Sequence, residues 1–205
     1  EYSNFTKSLG AVDNEDGYSI GAHAEDSLAH GELYPSVYAE GSFGIALPWN
    51  HASLWTYDSA GVKGGNRNNS LDYFFFGAFG NNFVDDREVK RYRDYDSFPG
   101  FSIDALDGRS FLKTTEEFNF PPIRFEDIGN AAFFLKSLRP AVFAGVLQTD
   151  PGSPDSRTLE DVGLQLDWNF VVAVNLPMTL SIGSALGIEN GRVRRNEIMV
   201  SLKIL

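Results

Sequence analysis

Strict alternation of apolar with small or polar residues is the clearest pattern in the sequence, and it is strongest in the C-terminal third. Three stretches show it, with apolar positions at Val162, Leu164, Leu166, Trp168, Phe170, Val172 and Val174, then at Met178, Leu180, Ile182, Leu186 and Ile188, and finally at Ile198, Val200, Leu202 and Ile204. Because successive side chains of a β-strand point to opposite faces, each stretch predicts a strand with one apolar face and one small or polar face.

The same period of two extends upstream. It runs from Val37 to Leu47, which is long for a strand of a soluble protein and suits a tilted membrane-spanning strand. No stretch shows helical periodicity over two turns, so the sequence predicts an all-β protein. Eight strands are predicted, starting at Tyr18, Val37, Ser53, Arg109, Phe133, Val162, Met178 and Ile198. The strand from Phe133 is expected to be interrupted at Pro140, since proline cannot donate to a ladder.

The connections between these strands are predicted to alternate in length. After a polar N-terminal segment, residues 1–16, the shorter turns are 48–51, 121–130 and 174–177, and the longer polar loops are 25–32, 64–108, 148–161 and 189–196. Short turns at one end and long loops at the other are typical of outer-membrane barrels, whereas a soluble β-sandwich has no reason to sort its connections in this way. We therefore predict that residues 17–205 form an antiparallel transmembrane β-barrel segment, with a soluble β-sandwich binding module as the alternative.

The connection 64–108 is too long for an ordinary turn and too rich in aromatic residues for a disordered linker. It is predicted to fold into or over the barrel lumen. Eight strands can close on themselves, but side chains just fill so small a lumen. We therefore expect a wider barrel in which this chain is the C-terminal half. Its other strands would come from a part of the protein outside this sequence or from a second chain, because open sheet edges cannot stand in lipid.

Composition narrows the function classes. The 205-residue chain has a formal net charge of −11, which disfavours a nucleic-acid partner, because such partners require clustered Lys and Arg. It has no cysteine, hence no disulfide and no thiolate metal site, and no apolar run near the length of a transmembrane helix or signal peptide. Since it begins at Glu1 without Met, we expect a mature form or a fragment.

No arrangement of residues assembles a nucleophile, a base and an orienting group, so we expect no enzyme activity, no cofactor and no metal. The neighbouring acids Glu116 and Glu117 cannot share a site, because they point to opposite faces of their strand. The charged run 85–96 is either a solvated, self-paired segment or a plug whose basic residues pair with lumen carboxylates. The residues proposed for such polar contacts are Arg87, Arg91, Arg93, Arg109, Glu117 and Asp167.

The order of motifs in the middle of the chain resembles a known family. A strand from Ser53 is followed by the aromatic approach Tyr73–Gly77, by a tip formed of Phe98, Pro99, Gly100 and Phe101, and by a strand ending in the Glu117–Pro122 motif E-x-N-F-P-P. This layout resembles the C-terminal half of bacterial surface-antigen barrels, the superfamily of the outer-membrane protein assembly factor and the two-partner-secretion transporters.

The resemblance implies a bacterial outer-membrane protein that takes part in protein insertion or translocation. Its partners would be outer-membrane lipid, a client protein, and an upstream periplasmic domain or a second chain that completes the barrel. Two positions depart from the family: Pro99 stands where the tip carries Arg, and no Asp stands in Val142–Gly145, where the family has the partner of that Arg. Their joint loss leaves no buried charge unpaired. The alternative function is a structural or partner-binding surface barrel without transport.

Overall fold

The computed structural model of the chain describes residues 2–29, 31–65, 69–80, 89–126, 128–130 and 132–204. The strands within these residues are β1 Tyr2–Thr6, β2 Asp16–Ala29, β3 Glu32–Ala46, β4 Ser53–Lys63, β5 Phe74–Phe76, β6 Leu106–Gly108, β7 Ser110–Asn119, β8 Ile123–Arg124, β9 Gly129–Asn130, β10 Phe133–Thr149, β11 Arg157–Val172, β12 Leu176–Glu189 and β13 Arg192–Ile204. Two short 3₁₀ helices, Ser70–Asp72 and Arg91–Arg93, lie in the long connection. No helix in the described ranges is long and apolar enough to cross a membrane.

One large antiparallel sheet of eleven described strands contains the eight predicted ones, which are β2–β4, β7 and β10–β13. Its path is β1-β2-β3-β4-β7-β10-β11-β12-β13, and β8 and β9 pair with β10 beside that path. The predicted all-β, antiparallel class is therefore confirmed. Nearly every neighbour on this path is also a neighbour in sequence, so the sheet is a meander with one long insertion between β4 and β7. The strands β5 and β6 form a separate small sheet within that insertion.

The sheet is not closed. Its path begins at β1 and ends at β13, and no pairing joins these two strands within the described residues. β1 is itself a departure from prediction, because residues 2–6 were expected to be a polar loop and instead pair with the start of β2.

Three predicted loops were too long, and one predicted strand interruption is absent. The expected loop 148–161 is reduced to 150–156, because β10 ends at Thr149 and β11 begins at Arg157. β2 extends to Ala29 and pairs directly with β3 through the expected loop 25–32. β12 and β13 are joined at Asn190 and Gly191, which both have positive φ, so the expected loop 189–196 is a tight hairpin of the kind that Asn-Gly favours. β10 continues through Pro140 without interruption, and its irregularity lies between Leu135 and Ser137 instead.

These boundaries also remove the predicted sorting of connections by length. The end of the sheet that carries the long connection 64–109 also carries the tight turns after Ala29 and Glu189. Loop length therefore does not distinguish one end of this sheet from the other.

The two faces differ in polarity and in cover. In β7 the side chains of Phe111, Lys113, Thr115 and Glu117 are buried, and those between them are exposed. We call the buried side the covered face, because the long connection packs on it, and the other side the bare face. Apolar side chains dominate the bare face, including Ile20, Val37, Phe43, Leu112, Val142, Val146, Val162, Leu164, Ile198, Val200 and Leu202.

The bare face also carries polar side chains, among them Glu160 of β11 and a group where β4 pairs with β7. There Thr114 donates to Asp58 over 2.8 Å, and Thr56 donates to Glu116 over 2.9 Å. Each of these two carboxylates therefore accepts a hydroxyl hydrogen bond from the neighbouring strand.

Candidate functional site

The long connection between β4 and β7 is seated on the covered face, and this seat is the candidate site. Residues 69–80 and 89–108 of this connection are called the inserted loop below. β5, the first strand of the inserted loop, has one buried and one exposed face. Phe74 and Phe76 are buried, and Phe75 between them is more exposed.

Two aromatic clusters hold the inserted loop on the sheet. The first is formed by Phe74, Phe76, Phe98, Phe101, Leu106, Phe111, Leu147 and Leu159. In it, the Phe74 and Phe76 rings both pack edge-on against Phe111 of β7, with centroids 4.8 and 4.9 Å away. The second is formed by Phe79, Tyr92, Phe143 and Ala185, where the Tyr92 ring stacks on Phe143 of β10 at 4.0 Å. Aromatic pairs of this geometry add to the free energy of burial.

A buried ion-pair network joins the inserted loop to β7. Arg93 donates two hydrogen bonds to the fully buried Glu117 carboxylate, 2.8 Å from Nε and 2.7 Å from Nη2. Lys90 adds a third bond to Glu117 over 3.0 Å and also contacts Asn119. This is the fork geometry in which arginine binds a carboxylate most strongly.

Lys113, two residues before Thr115 on the same face of β7, binds the loop backbone. Its buried ammonium donates to the Asp94 carbonyl over 2.5 Å and to the Ser97 carbonyl over 2.6 Å. Glu117 thus binds loop side chains, and Lys113 binds loop carbonyls just before the tip. The segment 90–97 is held at both ends.

The tip Phe98–Phe101 lies against β12 and β13. Gly100 has φ +85, and a Cβ atom on it would lie 2.2 Å from the Gly187 backbone nitrogen, so only glycine fits at this contact. The Gly100 N–H donates to Glu197 of β13 over 2.9 Å, and the Phe79 N–H donates to the other oxygen of Glu197 over 3.3 Å.

The other proposed contact residues are placed separately. Asp167 is buried, but it accepts from Gln165 and Ser181 of the sheet, over 2.7 and 2.6 Å, and not from a loop arginine. Arg109 pairs with Asp72 over 2.5 Å, inside the connection itself. Arg91 is half-buried, and within the described part of the chain it pairs with no carboxylate of the sheet. Arg87 lies outside the described residues.

Beside the segment expected to lack a carboxylate, Val142–Gly145, one is supplied by the next strand. Asp161 of β11 is paired with Gly145, and a Cβ atom on Gly145 would lie 2.6 Å from its Oδ1. Among the described residues the tip donates no hydrogen bond to this carboxylate; its Gly100 N–H donates to Glu197 of β13 instead.

Sequence reasoning did not single out Lys90, Lys113 or Glu197. The sequence did contain a signal for Lys113. It lies four residues from Glu117 and therefore on the same face of the strand, and positions 111, 115 and 119 of that face are uncharged. Nothing in the sequence signals Glu197, since its two partners lie 97 and 118 positions away.

The inserted loop leaves part of the covered face open. A cavity of about 570 Å³ lies between β2–β4, the loop at Arg93–Tyr95 and the N-terminal residues 12–14. Asp13 pairs with Arg139 over 2.5 Å, and Glu15 lies 2.6 Å from His51, so the N-terminal segment is fixed both to β10 and to the turn between β3 and β4. Burial raises the pKa of the Glu15 carboxyl, but its hydrogen bonds with Ser8 and His51 outweigh burial and bring the pKa below its ordinary value.

Within the described residues, no group of three or more His, Asp or Glu side chains could hold a metal ion. The arrangement is a seat for a protein segment: aromatic contacts, one buried carboxylate with two cations, and one lysine on backbone carbonyls. Comparisons of the chain with protein-family models, with curated proteins and with solved structures found no match.

Proposed function

We propose that this chain forms part of the wall of a bacterial outer-membrane β-barrel, with its bare face toward lipid and the inserted loop in the lumen. The observation that carries the proposal is the polarity of the two faces. Large apolar side chains are exposed on the bare face: Ile198 is 72% exposed and Val200 69%. Buried polar side chains, such as Glu117, Gln165 and Asp167, lie on the other face. This is the arrangement of a transmembrane barrel.

A soluble sandwich would have the opposite arrangement. It would bury its apolar faces between two sheets and expose its polar ones. Contiguous apolar patches on soluble monomers rarely exceed a few hundred Å², whereas the bare face presents apolar residues on most strands from β2 to β13. The soluble alternative therefore requires a partner over nearly the whole sheet.

The two unpaired edges fit a wider barrel. Every backbone group must be hydrogen-bonded within hydrocarbon, so open edges do not occur there. Under this proposal, β13 and the β1–β2 edge pair with further strands of the same barrel, supplied by another part of the protein or by a second chain.

The proposed activity is insertion or translocation of client proteins at the outer membrane, as the resemblance to surface-antigen barrels implies. What supports it is an inserted loop that is firmly seated and still leaves a cavity beside it. The alternative is a barrel that binds a partner and transports nothing. The observation that supports this alternative is the dense set of contacts between the inserted loop and β7. Such contacts suit a loop that closes the lumen permanently and does not move.

Single cysteines test the orientation of the wall, because the native chain has none. Ile20→Cys lies on the bare face, and the adjacent Ser19→Cys lines the cavity. Each variant would carry an environment-sensitive dye in lipid nanodiscs containing acyl-chain quenchers. Strong quenching at position 20 and weak quenching at position 19 is expected. Equal quenching at both positions, or release from cells without detergent, overturns the proposal.

The activity has a separate test. Reconstituted protein is expected to accelerate the insertion of an unfolded outer-membrane barrel protein into liposomes, compared with liposomes carrying an unrelated barrel. Equal rates would leave the wall orientation intact and favour the barrel without transport.

A further inference from the structure

The edge strand β13 is held from inside by the inserted loop. Three successive positions on its covered face contact that loop: Arg195 bonds to Ser102, Glu197 accepts from Phe79 and Gly100, and Met199 packs on the cluster that contains Phe79 and Tyr92. Each of these contacts spans about half of the chain. β13 therefore has two supports, the ladder with β12 and the inserted loop.

Glu197 is the central contact of the three. Its two carboxylate oxygens each accept one backbone N–H, from two separate parts of the loop. Hydrogen bonds to a charged acceptor are stronger than neutral ones. The carboxylate thus joins the tip and the segment at Phe79 to a single position of the edge strand.

The tip can reach Glu197 only because two backbones touch. A Cβ atom on Gly100 would lie 2.2 Å from the Gly187 nitrogen, and one on Gly187 would lie 2.4 Å from the Gly100 carbonyl oxygen. Any side chain at position 100 would move the tip away from β12 and lengthen its bond to β13.

β13 is an edge strand whose outer side is suited to pairing with a further strand. It spans Arg192–Ile204, and within the described chain nothing pairs with its outer edge. Natural edge strands are usually protected by being short, by proline or by bulges. β13 is long and contains no proline, and its irregularity, an extra residue at Arg194, lies near its start; from Arg195 onward its pairing with β12 is regular. The opposite edge strand, β1, spans only Tyr2–Thr6.

We propose that Glu197 couples the inserted loop to β13, so that the seated tip holds the edge strand in position for pairing with the next strand of the barrel wall. When the tip leaves Gly187, β13 loses its inner support and its edge becomes free to separate. The inference rests on the proposed function in one respect, since the strand that pairs with β13 is the one that completes the barrel. The coupling itself concerns only this chain.

Amide hydrogen exchange read by mass spectrometry tests the coupling, on peptides covering 97–104, 192–204 and, as a reference, β4. The variants are Glu197→Gln, which removes the charge and one acceptor, and Gly100→Ala, which displaces the tip; Glu160→Gln, exposed on β11, is the matched control. Each of the two variants is expected to raise exchange in 192–204 about tenfold, with β4 and the control unchanged. The double variant is expected to exchange no faster than the faster single variant, because both changes break the same contact.

Exchange that rises in 97–104 but not in 192–204 would overturn the proposal, as would additive effects in the double variant. If Gly100→Ala raises exchange in β4 as well, the fold has been lost, and Glu197→Ala takes its place. That change removes both acceptors of the Phe79 and Gly100 N–H groups and must still raise exchange in 192–204. Failure of the proposed function is detected separately, by equal dye quenching at positions 19 and 20.

Discussion

Arg93 of the inserted loop and Glu117 of β7 form a two-point ion pair inside the protein, with donor–acceptor distances of 2.8 and 2.7 Å. Lys90 contacts the same carboxylate, so two cations share one buried anion. Removing one partner of such a network is more costly than the network's net contribution to stability, because the remaining charges stay buried without a partner.

Glu117→Gln is therefore expected to lower the free energy of unfolding by about 3–5 kcal/mol, measured by denaturant titration in detergent. Glu116→Gln is the matched control, because Glu116 is the next residue, is exposed on the bare face and accepts only from Thr56 among its described neighbours. Its expected effect is below about 1 kcal/mol. Equal effects at the two positions would mean that Glu117 is not buried with its cations.

Gly44 and Trp55 make a second contact that depends on the absence of a side chain. A Cβ atom on Gly44 would lie 2.3 Å from the Trp55 indole, whereas one on Gly41 of the same strand would meet nothing closer than 3.4 Å. Gly44→Ala is expected to cost about 1–3 kcal/mol, because the buried indole has to move. Gly41→Ala is expected to be neutral or slightly stabilising. A shift of the unfolding midpoint for Gly41→Ala as large as that for Gly44→Ala would contradict this packing.

The eight long strands could be predicted because alternation persists wherever one face is apolar. The same parity placed Glu116 and Glu117 on opposite faces, and the structure agrees. The hairpin at Asn190 and Gly191 was missed, although Asn-Gly is a strong turn signal. The three arginines that follow it led to the prediction of a longer polar loop.

The seat of the inserted loop could be predicted only in part. Aromatic content indicated that the loop packs, and pairing with carboxylates of the sheet was one of two interpretations of the charged run 85–96, the other being a solvated, self-paired segment. The choice of Glu117 over Asp167 could not be predicted, because it depends on Gln165, Ser181 and Arg139, which surround Asp167 from its own strand and from the two strands beside it. The contact of Gly100 with Gly187 joins two backbones that no local pattern relates.

Glu15 makes the attachment of the N-terminal segment sensitive to acid. Its pKa in the folded protein lies below the ordinary value of a glutamate, so its contribution is complete above that ordinary value and is lost as the pH falls through the folded pKa. Protease cleavage within residues 7–15 is expected to be slow from pH 7 to about pH 5 and to accelerate below about pH 4.5, measured with an acid-stable protease. Glu15→Gln is expected to cleave at the faster rate at all these pH values. Asp155→Asn, in an exposed loop, is the control and should behave as the native chain does.

Lys113 offers the sharpest test of how the tip is positioned. Lys113→Met keeps most of the aliphatic stem but leaves the Asp94 and Ser97 carbonyls without their buried donor. Loss of these bonds is expected to lower the free energy of unfolding by about 1–3 kcal/mol and to raise amide exchange in residues 94–104 before any other segment. Lys136→Met, exposed on β10, removes the same charge without touching the loop and is expected to change neither quantity. If Lys113→Met lowered stability but left exchange in 94–104 unchanged, Lys113 would support the sheet and would not position the tip.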